Sequence, residues 1–113
     1  MDEKIKKFLY DINECIENIT AFTKGYDLDS FAVDTRTKQA VERNFEIIGE
    51  AINNIRKYDP SISDQIRESN KIVGFRNQLI HGYDMISDPI TWDIIKNKLP
   101  LLAEDISKFD IDV

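Results

Sequence analysis

From Asp2 to Phe22 the apolar residues Ile5, Phe8, Leu9, Ile12, Cys15, Ile16, Ile19 and Phe22 recur at steps of three and four. That spacing predicts an amphipathic helix with Lys and Glu on its solvated face. Lys24 suits a helix C-terminus and Gly25 supplies the stop. Tyr26 to Asp34 reads as a connector containing a short turn of helix. A second helix is predicted from about Thr35 to Lys57, with a main stripe of Val41, Phe45, Ile48, Ile52 and Ile55. Beside it runs a second row of Ala40, Ile47, Ala51 and Tyr58, which implies packing against two neighbours. Asp59-Pro60-Ser61 ends that helix.

Ser61 to Ser69 can hold a short helix capped by Ser61 or Ser63. A third helix is predicted from near Asn70 to about Tyr83. Ser87-Asp88-Pro89 then reads as a cap followed by a residue suited to a first turn. The fourth helix carries Ile90, Ile94, Ile95, Leu99, Leu102, Ile106 and Phe109, and Pro100 inside it predicts a kink rather than a break. Isoleucine on propensity alone favours strands, but the steady helical period outweighs that preference. The expected fold is all-α, an up-down four-helix bundle with one or two short extra helices.

Composition supports this picture. With 113 residues the chain suits a single domain, residues 1–113, around one core. Only four Gly and three Pro punctuate it, too few for a turn-rich β sandwich. No apolar run approaches the length of a membrane span and the N-terminus lacks a signal-type apolar region, so no membrane association and a cytoplasmic location are expected. One cysteine, Cys15, excludes an internal disulfide framework and a cysteine-based zinc site. It falls on the apolar stripe and is expected in the core. A net charge of −6 argues against a broad basic surface for duplex DNA. Residues 34–86 are nevertheless balanced, with eight acids and eight bases, so a single-stranded or small anionic ligand can be met locally.

The third helix carries the candidate chemistry. Ile72, Phe75 and Leu79 form one apolar stripe and Val73 with Ile80 a second. Arg76 and Tyr83 fall between the stripes, while Asn77 and His81 lie side by side on the next face. A guanidinium flanked by apolar rows needs an anion, a carboxylate or a second subunit. Gly74 and Gly82 suggest close approach of a neighbour at those points. Arg76 can hold a phosphate, Asn77 can orient a hydroxyl or phosphate oxygen, and histidine titrates near neutral pH. These groups can cleave RNA through the ribose 2′-OH. His81 is the single histidine, so a two-histidine acid–base pair requires a two-fold dimer. A structural reading stands beside this one: Arg76 pairs with Glu46 or Glu50, and His81 meets a backbone carbonyl or a C-terminal charge. Glu50 either holds Arg76 or stands as a solvated carboxylate. Trp92 is expected in the core or at a dimer seam.

The run Arg76-Asn77-Gln78-Leu79-Ile80-His81-Gly82-Tyr83 resembles the R-N-x-x-x-H-x-Y signature of the HEPN superfamily, specifically its HepT-like branch. Ile47-Ile48-Gly49-Glu50-Ala51, Trp92, and Leu99-Pro100-Leu101 agree with it in the expected order. The resemblance implies an all-α dimer whose motif helices share a cleft, acting as a metal-independent endoribonuclease toxin without a cofactor. It makes Arg76 and His81 catalytic and Asn77 supportive. It also implies a partner, a minimal nucleotidyltransferase antitoxin that transfers AMP from ATP to Tyr83, where the added phosphate and base would block the RNA substrate. The alternative is a non-catalytic module that binds a nucleotide or serves such a nucleotidyltransferase as its substrate-binding partner.

Overall fold

Asp2 opens the first helix by accepting the Lys4 amide N–H at 2.7 Å, filling one of the donors that a helix start leaves open. Helix α1 runs Glu3–Phe22 in a computed structural model that describes residues 1–82 and 86–111. Ile5, Leu9, Ile12, Cys15, Ile16 and Ile19 are buried. Phe22, at the end of the same pattern, lies in the last residue of the helix and stays 41% exposed. Burial, with Asp11 and Glu14 nearby, pushes the Cys15 thiol up to about 11. Gly25 adopts φ +81°, a left-handed turn that glycine makes without steric cost. The connector then forms α2 (Leu28–Val33), which a capping box between Asp27 and Ser30 starts and Phe31 ties to the core.

Asp34 caps α3 (Thr35–Tyr58), accepting the Thr37 N–H at 3.0 Å. The Tyr26 hydroxyl and the Thr37 hydroxyl also donate to this carboxylate. Led by the Tyr26 bond, these donors hold its pKa down at about 2. The whole main stripe of α3 is buried. Its second row is graded: Ala51 is buried, Ala40 and Ile47 are half-buried, and Tyr58 is exposed at the helix end. Helix α3 packs on α1 and on α5 (Ser69–His81), as two apolar rows require.

Between them, Asp59 ends α3 in an extended conformation and caps α4 (Pro60–Ser63). The cap is therefore Asp59, not Ser61 or Ser63. Pro60 has no N–H to satisfy and takes the first turn, and the Asp59 carboxylate reaches the Ser61 N–H at 3.1 Å. Ser87 caps α6 (Asp88–Asp93) as expected. Ile90, in the first turn of α6, is 45% exposed rather than in the core.

A π-helical turn, Ile94–Lys98, joins α6 to α7 (Leu99–Ile106). Pro100 thus acts one turn upstream of itself. It lacks an N–H and its ring presses on the carbonyl four residues back, so the preceding turn widens and the Leu99 N–H bonds to the Ile94 carbonyl. The helical path continues without a break. Trp92 is half-buried, its ring 5.3 Å from Phe31 and capped by the Lys96 ammonium at 5.5 Å.

The architecture is all-α, with no strand among the described residues. Apolar side chains from α1, α2, α3, α5 and the last helical stretch form one cluster. The segment between α4 and α5 is anchored by Asp105 of α7, which is 2% exposed and accepts the Arg67 backbone N–H at 2.9 Å and its Nε at 3.1 Å. Burial pushes this carboxyl up, but the Arg67 bonds and charge, with Lys108, outweigh it and leave it below the ordinary carboxylate value. Among the described residues no helix is long and apolar enough to cross a membrane.

Candidate functional site

Arg76 leaves α5 on the flank that faces α3, and its stem crosses Gly49. A Cβ on Gly49 would stand 2.4 Å from Arg76 Cβ and 2.6 Å from its Cγ. Gly49 is thus a point of close approach between the two helices, and any side chain there would press on the arginine stem. The close approach expected at Gly74 lies here instead. Gly74 is on the exposed face of α5 with nothing within 4 Å of a would-be Cβ, and Gly82 stands past the helix as its C-cap. The signal for Gly49 is present in the sequence as a glycine inside the apolar pattern of α3.

The Arg76 guanidinium is held at two corners. One terminal nitrogen donates to Glu50 Oε2 at 2.7 Å and the other to Asn77 Oδ1 at 3.1 Å. Its Nε is buried and has no hydrogen-bond partner. Of five N–H donors only these two are engaged, and a buried donor left unpaired costs about 1–3 kcal/mol. Glu50, not Glu46, is therefore the partner of Arg76; Glu46 pairs with Arg43 at 3.2 Å. The Arg76 side chain is 21% exposed and that of Glu50 54%, so the ion pair sits at the rim of the fold.

Asn77 and His81, four residues apart, share the exposed face of α5. His81 is the last residue of α5, where a cation suits the negative end of the helix dipole. It makes no hydrogen bond to any described residue, so the expected alternative of a backbone-carbonyl partner is not found among them. Five residues separate Arg76 from His81, about 140° around the helix axis and about 7.5 Å along it. Arg76 therefore points into the α3 seam while His81 stands in solvent. Tyr83 lies outside the described residues.

Arg76 and Glu50 line a cleft of about 390 Å³ between α1, α3 and α5, together with Phe8, Arg43, Ile47 and Ile80. His81 stands outside this cleft. Among the described residues no group of three or more His, Cys, Asp or Glu side chains is placed to hold a metal ion.

Comparison with known proteins finds relatives named for ribonuclease activity. A Methanocaldococcus jannaschii protein, provisionally named an RNase, is 35% identical over 96% of this chain and 89% of its own. A second protein of that organism, with the same provisional name, is 37% identical over 90% of this chain and 93% of its own. A Thermococcus cleftensis protein, named with similar reserve as ribonuclease HepT, is 33% identical over 96% of this chain and 97% of its own. No solved structure matches the chain. The pattern described as ribonuclease HepT-like matches residues 12–109, and the chain belongs to that family of HepT-like ribonucleases.

Proposed function

We propose that the chain is a metal-independent endoribonuclease toxin that works as a homodimer and is silenced by AMP transfer to Tyr83. The observation that carries this reading is the seat of Arg76. A guanidinium fixed by Glu50 and Asn77, with one N–H on each terminal nitrogen to spare, is prepared to meet the charge that develops on a phosphate under attack. His81, exposed and unpartnered among the described residues, is the general base. It takes the proton from a ribose 2′-OH, O2′ attacks the adjacent phosphorus, and the P–O5′ bond breaks. The leaving oxygen takes a proton from His81 of the second subunit, which the single histidine per chain requires. Asn77 keeps its amide N–H groups free to hold a non-bridging oxygen.

Silencing follows from position. Tyr83 stands two residues beyond His81, so the phosphate of an AMP there adds negative charge beside the site and repels RNA. In that transfer the tyrosine oxygen attacks the α-phosphorus of ATP and pyrophosphate leaves, on a partner nucleotidyltransferase.

The test uses protein made without the partner, shown by intact mass to carry an unmodified Tyr83, and incubated with RNA in EDTA. Cleavage leaving 2′,3′-cyclic phosphate ends is expected. His81→Ala or Arg76→Ala should lower it by about 10²- to 10⁴-fold with the helical circular dichroism retained. Unchanged cleavage by either variant refutes the reading. No cleavage of any of several RNAs, with Tyr83 still accepting AMP, would make the chain a substrate-binding partner of the transferase.

A further inference from the structure

Tyr58 ends α3 and stays 54% exposed, with its hydroxyl bonded to no described residue. A tyrosine that closes a core turns its ring inward and gives its hydroxyl a partner. Tyr58 does neither. Its ring stacks instead on Phe8 of α1, 6.2 Å between centroids and 28° between planes. Phe8 lines the Arg76 cleft, so the two rings make an aromatic step from that cleft to the surface. Glu50, Asn54 and Tyr58 follow one another at steps of four on one row of α3, and Asn54 lines the cleft as well. Tyr58 thus stands about 12 Å along the helix from Glu50, the residue that holds Arg76. Helix α5 runs antiparallel to α3: Arg56 donates to Asn70 at 2.9 Å near its start, Arg76 crosses Gly49, and Leu79 stands by Glu42 near its end. His81 and Tyr58 therefore lie on opposite sides of Arg76 along this seam.

The charge along the strip is matched. Asp11, Glu46 and Glu50 are paired with Lys7, Arg43 and Arg76. Lys4 is a further cation that pairs with no described carboxylate and rests over the Tyr58 ring, 5.3 Å from its centroid. That contact is weak at an exposed site, and the flexible stem lets the ammonium swing to a phosphate when a base takes its place. A chain of net charge −6 gains little from general attraction to RNA. Stacking, which needs no net charge, has to supply more of the hold. We infer that Tyr58, backed by Phe8 and attended by Lys4, is a stacking platform for a base of single-stranded RNA, a short way along the strand from the phosphate that Arg76 holds. Any base can use it, because every base has a π-face. The inference deepens the proposed ribonuclease function by making its substrate unpaired RNA, and it rests on that reading for its biological sense.

The experiment measures, by fluorescence anisotropy, binding of the full chain to a labelled single-stranded RNA that is 2′-O-methylated throughout and so cannot be cleaved. Tyr58→Ala, with helicity retained by circular dichroism, should weaken binding by at least about fivefold, the worth of one stacked base, and Tyr58→Phe should bind like the parent. Tyr58→Leu, apolar but without a π-face, should bind as poorly as Tyr58→Ala. The slope of log affinity against log salt should be unchanged in Tyr58→Ala and shallower by about 0.7 in Lys4→Gln. Parent-like binding by Tyr58→Ala, rescue by leucine, or no binding by the parent overturns the inference. A changed oligomeric state of Tyr58→Ala on size exclusion also overturns it, by giving this face to a second copy. Binding that depends on Tyr58 while unmethylated RNA stays intact supports the platform and overturns the ribonuclease reading. Cleavage whose KM is unmoved by Tyr58→Ala overturns the platform and leaves the ribonuclease reading standing.

Discussion

Replacing Gly49 with alanine tests the seat of Arg76. The new methyl would stand 2.4 Å from Arg76 Cβ, an atom fixed by the α5 backbone that no rotamer change can move aside. Helices α3 and α5 must therefore part by about 1 Å or more to restore ordinary carbon–carbon contact. Overpacking of this kind costs about 1–3 kcal/mol, against a gain of about 1 kcal/mol in helix propensity for alanine over glycine. The net is a loss of about 1 kcal/mol. Gly74→Ala is the reference, because nothing lies within 4 Å of its added methyl and only the propensity gain of about 1 kcal/mol remains. The two variants should thus differ by about 2 kcal/mol, roughly 8 °C in Tm for a domain of this size. Thermal and urea denaturation of both read the difference directly. A displacement of Arg76 by about 1 Å should also lower RNA cleavage by about 10²-fold in Gly49→Ala. If Gly49→Ala melts with Gly74→Ala and cleaves like the parent, the argument from close approach fails.

Asp105→Ala should destabilise by about 2–3 kcal/mol in urea, less than a fully buried pair would lose, because the abandoned Arg67 is half-exposed and rehydrates. A loss under about 1 kcal/mol would mean that Asp105 does not anchor the segment before α5. Asp34 titrates at about 2 in the fold against an ordinary 3.8, so its contribution is complete above pH 3.8 and is lost as the pH falls towards 2. Tyr26→Phe removes the leading cause of that depression, and its urea midpoint should fall less steeply than the parent's across this window. Parallel curves would count against the Tyr26 bond.

The helices were readable because burial follows the 3.6-residue period so closely. All five residues of the Val41 to Ile55 stripe are buried, and Ser87 caps where a serine ahead of Asp-Pro should. The Arg76 partner was narrowed to two carboxylates on α3 by the same geometry. What stayed hidden depends on how elements meet. Gly49 and Gly74 look alike in the sequence, and only the packing of α3 on α5 separates a seat from an open face. Arg67 and Asp105 are 38 residues apart with no local pattern to join them. Pro100 announces a distortion, but the turn that absorbs it is set by the carbonyls upstream. The cap of α4 depends on Pro60 taking the first turn, which makes the residue before it, Asp59, the cap in place of the serines that side-chain preference alone selects.

Cys15 gives the molecule a reporter of its own. It is the single thiol of the chain, 5% exposed and with its pKa at about 11, so in the folded protein it is both shielded and protonated near neutral pH. A maleimide reaches it when α1 lifts off the core, and the labelling rate then counts how often that happens. Any ligand, modification or second subunit that steadies the fold slows the label by the factor it contributes to stability. One added mass on an unmutated chain thus measures dimer formation, nucleotide binding and the effect of a modified Tyr83 on a common scale.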